Sequence, residues 1–225
     1  MKILYEDEHI IVVIKEKGMP SQPDLTGDTN IYEEVFRHVC SKKKNIKLGL
    51  IQRLDRPVGG IMMLTKSSEA NKAFVQKSCL SKKYLAVVEG EAKKEVRLVD
   101  YLQKVRGNRT IVTSKQVPQA KEAALTYKCL KKRVVDGKTL SLLEIELETG
   151  RHHQIRAQMA HHKLPIVGDT KYNPIKKCVW VDIGLQAYKL QIEHPMTGRI
   201  LLFKHISKDY PFDIFFEGED DYETL

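Results

Sequence analysis

Residues 53–60, Arg-Leu-Asp-Arg-Pro-Val-Gly-Gly, place one carboxylate, Asp55, between the guanidinium groups of Arg53 and Arg56 on a glycine-rich loop just ahead of an apolar run. Loops at strand ends are common seats of catalytic groups, because a rigid element holds them while water and substrate can still reach them. A carboxylate beside cations stays ionised and can serve as nucleophile or base. Taken alone, Arg-Leu-Asp-Arg reads first as a surface ion pair. Tyr84, in Lys82-Lys83-Tyr84-Leu85-Ala86, reads alone as a strand tyrosine half in the core, and Arg151, after Thr149-Gly150, as a solvated residue at a helix start. The most conspicuous accumulation is His152, His153, His161 and His162, in which His153 and His161 are two helical turns apart. A metal site needs three or four converging ligands, and neither a His-Glu-x-x-His motif nor a carboxylate-rich frame surrounds these histidines, so no metal is expected.

The elements that must position these groups can be outlined from periodicity. Ile3 to Tyr5 and His9 to Ile14 suggest a hairpin joined at Glu6-Asp7-Glu8, followed by a Gly/Pro loop at Gly18 to Pro23. Asn30 to Lys43 has helical spacing, with Asn30 and Glu33 at capping-box positions and Ile31, Val35, Phe36, Val39 and Cys40 on one face. Ile61 to Thr65 is a predicted strand. A helix capped by Ser67 or Ser68 runs to Lys77 with Ala70, Ala73 and Phe74 inward, and Lys83 to Glu89 resumes as strand. Further strands are predicted at Leu125 to Leu130, Ser141 to Glu148, Val179 to Ile183, Leu185 to Ile192 and Ile200 to Lys204, interrupted by one helical segment near His152 to His162. The pattern predicts an α+β fold built on a large mixed, mostly antiparallel sheet. No repeat or linker appears, so one domain over residues 1–216 is expected, with residues 217–225 as a flexible acidic tail.

Composition narrows the function classes. The 225 residues are 42% apolar and 30% charged, enough to bury a core and too apolar for a disordered chain. The apolar run Ile10 to Ile14 is too short for a secretory core or a membrane span, so neither is expected. Four widely separated cysteines, Cys40, Cys79, Cys129 and Cys178, fit reduced thiols and a cytoplasmic setting. The formal charge is +9, and because residues 217–225 hold five acids and no base, residues 1–216 carry 38 bases against 24 acids, a net +14. Clusters at Lys42-Lys43-Lys44, Lys82-Lys83, Lys93-Lys94, Lys131-Lys132-Arg133 and Lys176-Lys177 suit several loops approaching one phosphate backbone, although solvated faces explain such runs too.

The order and spacing of these segments resemble the RluA-type pseudouridine synthases over nearly the whole chain. Ile3 to Pro20 looks like that family's opening hairpin and Lys-Pro-x-Gly loop. Gln52 to Lys66 resembles its catalytic His-Arg-Leu-Asp-x-x-Thr-Ser-Gly stretch, and Lys83 to Gly90 its Lys-x-Tyr-x-Ala strand. Thr149 to Arg156 with Pro165 to Asp169 is similar to a third block, and Leu185 to Ala187 with His194 to Gly198 to the closing one. Five ordered blocks are far more specific than any one. The departures are Glu16 in place of Pro, Gln52 in place of His, Val58-Gly59 in place of Thr-Ser, and Gln158 and Gln186 where His is common.

The resemblance implies an isomerase that breaks the bond from ribose C1′ to uracil N1 and remakes it to C5, without cofactor or metal. It implies Asp55 as the catalytic carboxylate, Arg151 as its cation, Tyr84 as an aromatic platform for the detached base and Leu185 as an apolar wall. Arg53 would fill the space of the uridine once it leaves its stack, and Arg56 would bind RNA with it. The expected partner is a stem-loop of ribosomal or transfer RNA, with no membrane, no obligatory protein partner and a monomeric chain. Two rivals differ in class. A non-catalytic RNA-binding relative is opposed by the retention of Asp55, Tyr84 and Arg151, and a glycosidic hydrolase by the lack of a second opposed carboxylate.

Overall fold

The computed structural model of the chain describes residues 1–41, 46–76, 80–173 and 182–216. Among these residues the elements run β1 (Lys2–Glu6), β2 (Ile10–Lys15), α1 (Ile31–Cys40), β3 (Gly49–Leu50), β4 (Gly59–Thr65), α2 (Ser68–Gln76), β5 (Leu80–Glu89), β6 (Glu95–Val105), β7 (Arg109–Thr113), β8 (Lys121–Val135), β9 (Lys138–Leu147), α3 (Gln154–His161), β10 (Leu185–Glu193), β11 (Ile200–Lys204) and a 3-10 turn at Asp213–Phe215. This is the predicted α+β class, and the strand pairs β1–β2, β2–β4, β3–β4, β5–β9, β6–β7, β6–β8, β8–β9 and β10–β11 are all antiparallel. Two compact units divide the chain, Met1–Lys82 with Ala187–His205, and Lys83–Gln186 with Ile206–Leu225. The acidic tail of residues 217–225 lies outside the described residues, as do Lys42 to Lys44, Cys79, Lys176, Lys177 and Cys178.

In the first unit the predicted hairpin forms with Lys2 opposite Ile14 and Glu6 opposite Ile11. Its turn is fixed by Asp7, whose Oδ1 accepts from the N–H groups of His9 and Ile10 at 2.7 and 2.9 Å. Burial raises the Asp7 pKa, but those two N–H groups with the Tyr5 hydroxyl and His194 more than offset it and hold the carboxyl below its usual range. Every residue of β2 and β4 is buried, which explains why both read as unbroken apolar runs rather than alternating ones. Ile10, Val12, Ile14, Ile61, Met63, Phe74, Leu190 and Ile192 form the core, each contributing about 1.5–3 kcal/mol by leaving water. Gly60 is required here: its φ is +128°, and a Cβ would collide with the backbone of Ala187.

Helix α1 starts as predicted, with Asn30 Oδ1 accepting from Glu33 N–H at 3.0 Å, but it ends at Cys40 rather than Lys43. Ile31, Val35 and Val39 are buried, whereas Phe36 is 42% exposed, so the apolar stripe is narrower than expected. Ser67 caps α2 by accepting from Ala70 N–H at 3.1 Å.

The second unit orders its strands β5-β9-β8-β6-β7. The β8–β9 hairpin turns at Asp136-Gly137, both at positive φ (49° and 74°), the backbone that a tight two-residue hairpin demands. Strands β6 and β7 were not anticipated, and the predicted strand Val179 to Ile183 is not borne out at Asp182 and Ile183; its earlier residues lie outside the described set. Helix α3 begins at Gln154, within the predicted helical segment.

Candidate active site

Asp55 sits at the end of an irregular stretch that runs into β4, half-buried, between exposed Arg53 and Arg56 and next to buried Leu54. The loop is clamped from inside the first unit. Ser21 Oγ donates to Leu54 O at 2.7 Å and accepts from Leu54 N–H at 3.0 Å, so one hydroxyl closes both backbone groups of the residue before Asp55. Val58 N–H donates to Asp55 O at 2.9 Å and closes the turn, while Gln52 Nε2 donates to Ile61 O at 3.1 Å. Gln52, one of the departures, therefore ties the start of the loop to β4.

Lys15, at the end of β2, is the residue that sequence reasoning missed. It is fully buried, and its ammonium donates to Glu16 O at 3.0 Å, Met19 O at 2.7 Å and Arg56 O at 3.2 Å. Three donors meet three carbonyls, and one of these belongs to the residue after Asp55. Burial lowers the Lys15 pKa to about 8, against an opposing pull from the Asp55 carboxylate and with a smaller push from Arg56. Gly18 N–H adds a bond to the same Arg56 O at 2.9 Å. The available signal was a lysine terminating a strand otherwise made of Ile and Val. Arg56 itself reaches outward, donating to Thr26 Oγ1 at 3.1 Å and pairing with Asp28.

Lys15→Met is expected to lower the thermal midpoint by roughly 5–10 °C at neutral pH, because three backbone carbonyls lose the charged donor that ties them together, at a cost of about 2–3 kcal/mol. The pH dependence has a definite sign. The folded state holds this proton less tightly than the unfolded chain, so the Lys15 contribution to stability improves as pH rises from about 8 towards the ordinary lysine value. Thermal unfolding of both proteins across that range should therefore show a difference that changes with pH; a constant difference would remove Lys15 as the cause.

Arg151, Tyr84 and Leu185 belong to the second unit. Arg151 is presented on a turn fixed by Gln154, whose Oε1 accepts from Arg151 N–H at 2.9 Å and Thr149 Oγ1 at 2.8 Å, and whose Nε2 donates to Ala124 O at 3.0 Å. The exposed Arg151 side chain donates from Nε to Glu122 O at 2.9 Å. The next residues are anchored as well: Thr110 Oγ1 donates to His152 O at 2.9 Å, Tyr172 Oη accepts from Thr110 N–H at 2.7 Å, and His153 Nδ1 stands 2.8 Å from the same Oη. His153 takes a left-handed backbone (φ 50°, ψ 26°), strained for a residue with a Cβ. Beneath them Arg156 and Asp169 form a buried bidentate pair at 2.8 and 2.8 Å. A depression of about 440 Å³ beside this turn is lined by Lys104, Lys121, Arg151, Gln119, Thr110 and His152. Tyr84 is buried in β5 opposite Ile145 of β9, with 8% of its surface exposed. Leu185 opens β10, also buried, after Gly184, where a Cβ would meet Val87 and Pro211. The structure thus holds Asp55 with Arg53 and Arg56 in one unit and Tyr84, Arg151 and Leu185 in the other.

The four histidines separate into two pairs. His152 and His153 stack at 3.8 Å, while His161 and His162 lie at the other end of α3.

Comparison with known proteins settles the class. The human protein titled RNA Pseudouridylate Synthase Domain Containing 1 superposes with a TM-score of 0.75 over 94% of this chain and 85% of its own, at 17% identity, which establishes the fold. The sequence profile described as RNA pseudouridylate synthase matches residues 9–161. The chain belongs to this family, whose members are isomerases converting RNA uridine to pseudouridine. An uncharacterized RNA pseudouridine synthase of Bacillus subtilis (strain 168), YlyB, is 30% identical over 91% of this chain and 68% of its own length. Ribosomal large subunit pseudouridine synthase D of Nitrosomonas europaea is 28% identical over 91% of this chain and 61% of its own. tRNA pseudouridine synthase C of Vibrio parahaemolyticus is 29% identical over 100% of this chain and 98% of its own.

Proposed function

We propose that this chain isomerises specific uridines in structured RNA with Asp55 as the catalytic carboxylate. The observation that carries the reading is the clamp on the Asp55 loop. A half-buried carboxylate whose neighbouring backbone is fixed by Ser21 and Lys15 can approach a ribose or base without first being ordered. Arg151 supplies the cation for Asp55, and its turn is braced by Gln154 in the same pre-organised manner. Tyr84 and Leu185 give the base an aromatic platform and an apolar wall, while Arg53 takes the place of the extruded uridine and Arg56 binds the RNA beside it. This chemistry requires no cofactor or metal, because the isomerisation involves no net redox change and no hydrolysis.

RNA capture rests on Lys and Arg side chains, and the depression carrying Lys104, Lys121 and Arg151 suits phosphate oxygens near the target. The substrate is a stem-loop of ribosomal or transfer RNA, the RNA classes in the names of two relatives. Among the described residues no helix is long and apolar enough to cross a membrane. Cys40 and Cys129 are free thiols, in keeping with the reducing cytoplasm.

The test is pseudouridine mapping across ribosomal and transfer RNA treated with the purified protein. New pseudouridine at discrete sites is the expected result, and binding without any conversion would favour the non-catalytic alternative. In parallel, affinity for an unrelated RNA should fall steeply with salt, each phosphate contact adding a log-log slope near −0.7 to −0.9. A flat response would mean that the net +14 of residues 1–216 is only a solvated surface.

A further inference from the structure

At the end of α3 opposite the Arg151 turn, three side chains offer a donor set for which the isomerisation has no use. His161 and His162 close the helix and Asp100 stands on β6, and their ligand atoms all lie within 4.8 Å of one another. His162 Nε2 is 3.0 Å from Asp100 Oδ2 and 3.2 Å from Oδ1. Ligands at about 2.0–2.1 Å from a tetrahedral zinc ion are roughly 3.3–3.4 Å apart, so this pair needs to open by only a few tenths of an ångström. His161 is exposed, and its ligand atom lies within 4.8 Å of the other two, a gap that a change of rotamer would have to close.

A second observation concerns what stands behind Asp100. Gln158, fully buried, donates from Nε2 to Asp100 Oδ2 at 2.7 Å and to Ala123 O at 3.2 Å. Both partners can only accept, so the amide is locked in this orientation. Its Oε1 is consequently buried with no hydrogen-bond partner among the described residues. An unpaired buried oxygen is costly, and what this arrangement secures is a carboxylate fixed through Oδ2, with both of its oxygens within 3.2 Å of His162 Nε2. Metal-bound carboxylates are oriented by hydrogen bonds of this kind.

We propose that Asp100, His161 and His162 form a site for one divalent transition ion of the zinc type, with a fourth position open to water. Imidazole and carboxylate donors at this number suit zinc rather than magnesium or calcium. The ion joins the end of α3 to β6, and so braces from its far end the helix that begins at the Arg151 turn. It takes no part in the reaction, and the proposal stands whether or not Asp55 is the catalytic carboxylate.

The experiment uses the full chain, stripped with a chelator and titrated with zinc by calorimetry and with cobalt by absorption spectroscopy. One ion per chain is expected, with visible cobalt bands and no near-ultraviolet sulfur-to-cobalt band, since the four cysteines are the competing ligands. A hundredfold excess of zinc over its dissociation constant should raise the thermal midpoint by roughly 5–10 °C. His161→Ala, at an exposed position that leaves the fold untouched, should weaken binding at least about tenfold, and Gln158→Leu by about 10–100-fold. The proposal is overturned by no binding up to millimolar zinc, by a sulfur band, or by unchanged affinity in both His161→Ala and Asp100→Asn.

Discussion

Asp55→Asn is expected to abolish pseudouridine formation, lowering single-turnover rates by about 10,000-fold or more, the scale of loss when a nucleophile or its activating partner is removed. The amide can neither attack ribose or base nor accept a proton. It is nearly isosteric with the carboxylate, and the contacts that shape the loop use backbone atoms: Val58 N–H to Asp55 O, Ser21 to both groups of Leu54, and Lys15 to Arg56 O. None of these depends on the Asp55 side chain. The Asp55 charge also favours the buried Lys15 ammonium, so stability should fall by about 1 kcal/mol with the fold kept, and RNA affinity should change little. Pseudouridine yield on a responsive RNA, measured beside thermal unfolding and equilibrium binding, separates the outcomes. Near-wild-type turnover would remove Asp55 from its role. Lost turnover accompanied by lost folding would instead mean that the carboxylate supports the loop.

What the sequence revealed and concealed follows from how each segment satisfies its polar groups. The β1–β2 hairpin, the N-cap of α1 and the loop ahead of β4 were legible because their signals are local: Asn30 three residues before Glu33, and buried β-branched runs ended by Gly and Pro. Strands β6 and β7 were not, because their alternation is interrupted: Leu98 and Leu102 are buried as the period demands, but the residues between and opposite them break it. On β6, Val99 is 45% exposed while Asp100 faces Gln158 and His162; on β7, Ile111 is 43% exposed while Thr110 is buried against His152 and Tyr172. Asp100 and Thr110 are the polar positions on that inward face, and they contact residues at the two ends of α3, which no periodicity rule anticipates. Asp55, Tyr84 and Arg151 could be named only from five blocks in order, since each alone has an ordinary explanation. Lys15 stayed hidden because its three acceptors, Glu16, Met19 and Arg56, are backbone carbonyls, which leave no trace in residue types.

Arg151→Ala is expected to lower turnover at saturating RNA by about 100–1,000-fold, the usual effect of losing one pre-organised electrostatic partner, with little loss of affinity. The backbone of this turn is held by Gln154 through Arg151 N–H, a bond that alanine keeps, so the turn itself should survive. Arg151→Lys should recover only part of the rate. The guanidinium already places Nε on Glu122 O and still has its remaining N–H groups to offer a carboxylate, whereas a lysine ammonium is a point charge without that fixed fork. Tyr84 needs a different substitution, because it is almost wholly buried in β5 and Tyr84→Ala would open a cavity costing about 3–5 kcal/mol, confusing chemistry with folding. Tyr84→Phe keeps the ring and its packing, so it should retain the platform and lose only what the hydroxyl supplies. Single-turnover rates for the three variants, each with a thermal midpoint and an RNA dissociation constant, test the assignment together. Unchanged rates in both Arg151→Ala and Arg151→Lys would take Arg151 out of the catalytic set, and a charge-dependent rate with constant affinity would support a cationic role for it in the chemical step.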